Sequence, residues 1–266
     1  MRVWAIANQK GGVGKTTTAV SLGALFASRG ESALVIDLDP HGSMTSYFGH
    51  DPDTIEASVY QVFVAESDVP AIDPFIRPTE FEGLALLPAS TALATVERKL
   101  IGKDGMGLAL HRVLQRHGGR YRHVLLDCPP VFGILMLNAL AACDRVIVPV
   151  QTEHLALKGL ERMQHTLGMV GKGLGVGRIE RTVVPTLYDQ RTRASKEALA
   201  RLQAVASGDL WHGAIPVDTR FRDASRAGLP ICHFDPASRG AAAYAMLADV
   251  LARNNPYSPV AGTQVA

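Results

Sequence analysis

Cysteine is scarce: Cys128, Cys143 and Cys232 are the only three in 266 residues. None forms a C-x-x-C pair and the spacing makes no disulfide framework, so neither a stapled scaffold nor a cysteine metal or redox site is expected. An excess of one charge is lacking too. A formal net charge of +2, with 20% of residues charged, leaves no global nucleic-acid or membrane signature. Any such contact must come from a local patch. The N-terminus "MRVWAIANQK" has no apolar signal core, and no apolar run approaches membrane-spanning length. A cytoplasmic chain with reduced thiols is the expectation. Repeats and long Pro/Gly/Ser linkers are also missing. One domain over residues 1–253 is expected, followed by a flexible tail, "NNPYSPVAGTQVA", at 254–266.

What is present is a hydrophobic fraction of 47%, arranged as short β-rich apolar runs alternating with longer helical patterns. That alternation predicts an α/β fold: a twisted, mostly parallel sheet with helices on both faces. Strands are predicted at Val3–Ala7, Ala33–Asp37, Leu84–Leu87, His123–Leu126, Arg145–Val148 and Arg181–Val184, with a shorter one at Ala214–Ile215. Several are apolar at nearly every position, as strands covered on both faces should be. Helices are predicted at Thr16–Ser28, Gly107–Gln115, Glu153–Met169, Ser195–Ala206 and Ala237–Ala252. The acidic stretch from Asp51 to Gly83 reads as a solvated surface of helix and loop.

The chemistry begins at "ANQKGGVGKTT", residues 7–17. It follows a predicted strand, opens a predicted helix and ends as a phosphate-binding loop should, on Gly14, Lys15 and Thr16. The opening glycine of G-x-x-x-x-G-K-[ST] falls on Gln9, however, and an extra cation, Lys10, stands beside it. Backbone N–H groups from Gly11 through Gly12, Val13 and Gly14 to Lys15 would face the β- and γ-phosphates at the positive end of the helix. Lys15 would neutralise phosphate oxygens, the Thr16 hydroxyl would ligate Mg²⁺ and Thr17 would contact the α-phosphate side. Two further runs end on carboxylates at strand ends, where open parallel sheets bind ligands: "ALVIDLDP" on Asp37 and Asp39, and "HVLLDCPP" on Asp127. Asp127 suits a Mg²⁺-water contact. ATP and Mg²⁺ are the expected cofactors, and a P-loop nucleotide hydrolase the expected class.

These segments, with "DLDPHGSMTSYFG", "PVQTEHLALKGLERM", "PTLYDQRTRAS" and "IPVDTRFRDASRAGLPI", resemble the ParA/MinD family of deviant Walker A ATPases over about residues 1–253. His41 and Ser43 in "DPHGS" resemble the ParC-type branch that positions polar chemotaxis arrays; a chromosome- or plasmid-partition ParA is the alternative. The resemblance implies a slow ATPase that cycles between monomers and an ATP-sandwich homodimer. Lys10 would then be the signature lysine, reaching the phosphates of ATP held by the partner, and Gly11 would lie where two chains approach closest. By the same resemblance Asp39 orients or activates the attacking water, Asp37 supports Mg²⁺ through water, and Pro216 lies near the adenine.

From Gly171 to Gly240 eleven Lys/Arg stand against seven Asp/Glu, so a local basic surface exists inside a near-neutral chain. Arg220, Arg222 and Arg226 read as a cluster in a loop, and the resemblance assigns Arg191 and Arg220 to sequence-independent DNA contact. A single chain carries too few cations for tight duplex binding, and a dimer doubles the patch. No helix-turn-helix precedes the phosphate loop, so operator-type readout is not expected. Further expectations are an adaptor protein at a pole or array, and enrichment at a cell pole or over the nucleoid. The tail holds too few basic and bulky apolar residues for a membrane-binding amphipathic helix, so no membrane partner is expected.

Overall fold

The computed structural model describes residues 1–65, 70–96, 99, 106–176, 178–206 and 208–253. The tail expected at 254–266 lies outside the described residues. Seven strands form one sheet: β1 Arg2–Ile6, β2 Ala33–Asp37, β3 Arg77–Pro78, β4 Leu84–Leu87, β5 His123–Asp127, β6 Arg145–Gln151 and β7 Arg181–Thr186. Their order is β3-β4-β2-β5-β1-β6-β7. Every pairing is parallel except the short β3–β4 ladder at one edge.

Every residue of β2 and of β5 is buried. Successive side chains leave opposite faces of a strand, so one strand feeds two cores. Leu34 and Ile36 join one apolar cluster, with Val124 and Leu126. Ala33 and Val35 join the other, with Leu125. The second cluster is closed by helix α1, Lys15–Ser28, which packs against the C-terminal helix Arg239–Arg253. Each fully buried Leu, Ile or Val contributes about 1.5–3 kcal/mol. β1 lies centrally between β5 and β6, and the chain leaves it through α1 toward β2. The crevice at this reversal of strand order is where an open α/β sheet receives a ligand.

Several expectations change. Ala214–Ile215 is not a strand: the segment makes only an isolated bridge, Tyr188 with Pro216, while Ile215 N–H donates to Pro185 O at 2.8 Å. Arg220, Arg222 and Arg226 sit in a helix, Arg220–Ala227, rather than a loop. Only Ala224 of that helix is buried, so no apolar stripe betrayed it, and Gly228 ends it at φ 69°. The acidic stretch is not all surface, because Val59, Val62, Phe63 and Ile72 enter the core. The helix expected from Glu153 starts at Ala156 and runs to Gly173; the one expected from Gly107 spans Ala109–His117.

Candidate functional site

The site is built at the C-terminal ends of β1, β2 and β5. Between β1 and α1 the chain turns through Gly12 at φ 73° and Gly14 at φ 91°, left-handed values that a Cβ would strain. The loop is tied down on three sides. Asn8 donates through Nδ2 to Pro149 O at 2.7 Å and accepts from the Lys10 N–H at 3.0 Å. Thr186 donates to Val13 O at 2.9 Å, joining the loop to β7. Gln9, where a glycine was expected, donates through Nε2 to Thr166 Oγ1 at 2.8 Å, so its side chain anchors the loop to the helix at Ala156–Gly173.

Lys15 is buried at the first turn of α1, and its Nζ donates to the Lys10 carbonyl at 3.3 Å. Thr16 Oγ1 donates to Asp127 Oδ2 at 2.6 Å. Asp127 is 1% exposed, its other oxygen has no hydrogen-bond partner among the described residues, and Asp37 is its register partner on β2. Burial first, then the Asp37 charge, pushes the Asp127 carboxyl well above the ordinary carboxylate range. Asp37 is pushed up to about 6, again by burial, against opposing hydrogen bonds from Thr45 and Asp39. Its Oδ2 accepts from Thr45 N–H at 2.8 Å and Thr45 Oγ1 at 2.7 Å; its Oδ1 accepts from Asp39 N–H at 3.1 Å. Asp37 thus organises the following turn.

Two neighbouring buried carboxylates with one orphan oxygen fit a divalent cation. Among the described residues no group of three or more His, Cys, Asp or Glu forms a closed cage. Mg²⁺ needs none, since it keeps waters and takes one or two protein oxygens plus phosphate. Thr16 and Asp127 fit that role. Asp39 stands at the rim, its Oδ1 accepting from the His41 N–H at 3.0 Å and facing His41 Nδ1 at 2.9 Å.

The Lys10 backbone meets Lys15, but its ammonium is engaged elsewhere. Its Nζ donates to Gln151 Oε1 at 3.0 Å, at the end of β6, and pairs with Glu153 two residues further on in the same chain. Beside the loop a cavity of about 240 Å³ is lined by Gly12, Thr17, Leu187, Pro216, Phe221 and Tyr244, among others. It continues from the phosphate loop, and its walls are largely apolar. Pro216 and Thr17 belong to it, whereas Leu187, Phe221 and Tyr244 were not foreseen. Tyr244 OH lies 2.9 Å from Thr18 Oγ1, and its ring meets Phe221 edge-on. Leu187 holds φ 52°, which is costly for a residue with a Cβ and marks the cavity wall as constrained. Arg191 and Arg220 are both exposed, the first bonded to Asp189 and the second paired with Asp223 and Asp235.

Comparison with known proteins agrees with this geometry. A family described as "AAA domain" matches residues 1–175. The sporulation initiation inhibitor protein Soj of Bacillus subtilis (strain 168) is 38% identical over 253 residues, 95% of this chain and 99% of that protein. The chromosome partitioning protein ParA of Myxococcus xanthus (strain DK1622) is 34% identical over 259 residues, covering 97% and 90%. A crystal structure of cobyrinic acid a,c-diamide synthase from Mycobacterium smegmatis, with bound ATP analogue and magnesium, superposes with TM-score 0.81 at 36% identity, covering 96% and 95%. Thr16, Asp127 and the loop backbone fit that pair of ligands. No helix among the described residues is long and apolar enough to cross a membrane. With a phosphate loop, strand-end carboxylates and a mostly parallel sheet, matched to Soj and ParA along nearly its whole length, the chain belongs to the ParA/MinD family of P-loop ATPases.

Proposed function

We propose that the chain is an ATP-dependent dimerisation switch for intracellular positioning, of the chromosome- or plasmid-partition type, reset to monomers by slow hydrolysis. The observation that carries it is Gly11. It is exposed, lies outside the left-handed backbone region, and a Cβ built on it would meet nothing within 4 Å. Nothing in one chain requires glycine there, whereas a second chain brought close to this loop would. Lys10 beside it is a mobile-length cation parked on its own Glu153 and Gln151. In the dimer it leaves them for the phosphates of ATP on the partner, offsetting the charge of two facing nucleotides.

Within the site, Lys15 and the loop N–H groups hold the phosphates and Mg²⁺ at Thr16 and Asp127 neutralises them. Asp39, kept at the rim by its turn with His41, orients the attacking water. Pro216 and Tyr244 wall the base. Arg191 and Arg220 supply sequence-independent contact with the DNA backbone, doubled in the dimer. Relatives named for chromosome partitioning favour DNA as track or cargo. They displace the chemotaxis array that "DPHGSMTSYFG" suggested as the primary cargo. An adaptor protein, and enrichment over the nucleoid or at a pole, complete the cycle.

The test uses Asp39→Ala, which should trap the ATP-bound dimer, titrated with random-sequence duplex at low and moderate salt with ATP and with ADP. Binding that needs ATP, weakens with salt and is lost in Asp39→Ala/Arg191→Glu supports the reading. No binding in any state would remove DNA from it. ATP consumption that requires an organic acid acceptor would instead favour a ligase like the Mycobacterium smegmatis relative.

A further inference from the structure

The segment Ile215–Pro216–Val217 is a wall between two cavities. On one side lies the base pocket. On the other lies a cleft of about 260 Å³, and Pro216 and Val217 line both. The floor of the cleft is apolar, with Ala214, Pro216, Ala243 and the half-exposed Met246. Two exposed arginines, Arg191 and Arg239, stand on its rim with Asp189. An apolar floor under a cationic rim suits a sugar-phosphate backbone, which presents deoxyribose carbons beside charged oxygens.

The arginine already assigned to DNA is not a bare cation. Arg191 Nε and Nη2 donate to Asp189 Oδ1 and Oδ2 at 2.9 and 2.8 Å, and its backbone N–H donates to Oδ1 at 3.0 Å. These bonds hold the Asp189 carboxyl down at about 2, and the charge of Arg239 adds a smaller pull in the same direction. Asp189 thus bonds Arg191 directly and acts on Arg239 only through space, while Arg239 Nη2 donates to Val217 O at 3.4 Å. Its turn is anchored, since Asp189 N–H donates to Ser195 Oγ at 3.1 Å. The same pattern recurs nearby: Arg193 Nε pairs with Glu197 at 2.6 Å, and Arg220 Nε with Asp235 at 3.2 Å.

We propose that this cleft seats the phosphodiester backbone of duplex DNA, with Arg239 as a further phosphate-contacting cation. Asp189 is a built-in countercharge that holds the affinity of a single chain low. The inference rests on the DNA-binding reading above and deepens it. Affinity for DNA grows with each phosphate neutralised, so a patch of unopposed arginines would bind in every nucleotide state. A countercharge lowers the contribution of each chain, and only two linked patches then cross the threshold of useful binding. Asp189 does this without loosening the loop, because its turn needs an acceptor rather than a charge.

That last point makes the test clean. Asp189→Asn keeps one side-chain oxygen for the Arg191 backbone N–H and removes the charge together with the second acceptor, the one that Arg191 Nη2 uses. Full-length wild type, Asp189→Asn and Arg239→Gln are titrated with random-sequence duplex by fluorescence anisotropy, with Mg²⁺ and a non-hydrolysable ATP analogue, across a salt series. Glu56→Gln makes the same change in net charge at the opposite edge of the sheet and serves as control. Asp189→Asn should bind about 3-fold tighter or more at low salt, with a steeper salt dependence. Arg239→Gln should flatten the slope of log K against log salt by about 1 for each chain engaged. Glu56→Gln should match wild type. DNA binding by wild type with no tightening in Asp189→Asn, or with equal tightening in Glu56→Gln, overturns the countercharge alone. An unchanged slope in Arg239→Gln removes Arg239 from the cleft. Binding by neither wild type nor Asp189→Asn overturns the inference together with the DNA reading.

Discussion

Asp37 and Asp127 are register partners on adjacent strands, both buried, at the end of the sheet where β1 enters the phosphate loop. Their mutual repulsion is left uncompensated by any hydrogen bond to Asp127 Oδ1. A chain that carries such a pair is destabilised until a cation arrives, which links folding stability to metal.

Asp127→Asn should therefore have opposite effects with and without ligand. In EDTA the variant should be more stable than wild type by about 1–2 kcal/mol, because a neutral amide carries no charge to desolvate and does not repel Asp37. With Mg²⁺ it should bind ATP about 10- to 100-fold more weakly. Urea melts in EDTA and nucleotide titrations in Mg²⁺ read the two effects. A variant less stable in EDTA would mean that the pair is not strained.

Tyr244, on the C-terminal helix, lines the cavity beside the phosphate loop and meets Thr18 at 2.9 Å. Tyr244→Phe keeps the ring against Phe221 and deletes one buried hydrogen bond, at a cost of about 1 kcal/mol. Thr18 still donates to Gly14 O at 2.7 Å, so α1 should begin where it does now. Weaker ATP binding by a few-fold, about one hydrogen bond's worth, is expected in calorimetry. Unchanged affinity would place the base elsewhere.

His123 makes a pH-dependent contribution far from the nucleotide. It is buried at the start of β5, stacked on Phe26 with centroids 4.1 Å apart and on Trp4 at 5.1 Å, and bonded to Glu31. Burial lowers its imidazole below the ordinary value, outweighing the upward pull of Glu31; the charges of Arg122 and Arg2 also lower it. A depressed folded value means that the unfolded chain binds the proton first. Stability is then fully present above the unfolded value of about 6.5 and is lost as pH falls below it. Asp37, pushed up to about 6, titrates with the opposite sign, gaining stability on acidification. The readout is accordingly the difference between wild type and His123→Gln, whose melts should converge as the pH is lowered. Parallel pH profiles would contradict the assignment.

Contiguous chemistry was legible in the sequence. The strand, glycine turn and helix around Lys15 lie within one short span, and β2 and β5 are apolar runs stopped by Asp37 and Asp127. What escaped is what distance in the chain hides. Tyr244, Phe221 and Leu187 reach the loop from segments far along the chain, and nothing local distinguishes them from core residues. Thr45 carries no signal of its own in the sequence, yet it supplies two of the bonds to Asp37. The helix Ile134–Ala142 went unread because it is apolar nearly all round and carries no periodic stripe. The helix Arg220–Ala227 went unread for the opposite reason, being charged nearly all round.

The claim on which the rest depends is that ATP joins two chains across Gly11 and Lys10. Solution mass by light scattering should be measured for Asp39→Ala with Mg²⁺ and ATP or ADP, alone and combined with Gly11→Val or Lys10→Ala. The Lys10–Glu153 pair is about one-third exposed on each side, so losing it should cost no more than about 1 kcal/mol of stability, and the Gly11 variant should also fold. The account predicts a dimer with ATP, a monomer with ADP, and monomers with either nucleotide in both combined variants. A mass that ignores the nucleotide, or a dimer that survives Gly11→Val and Lys10→Ala, would contradict it.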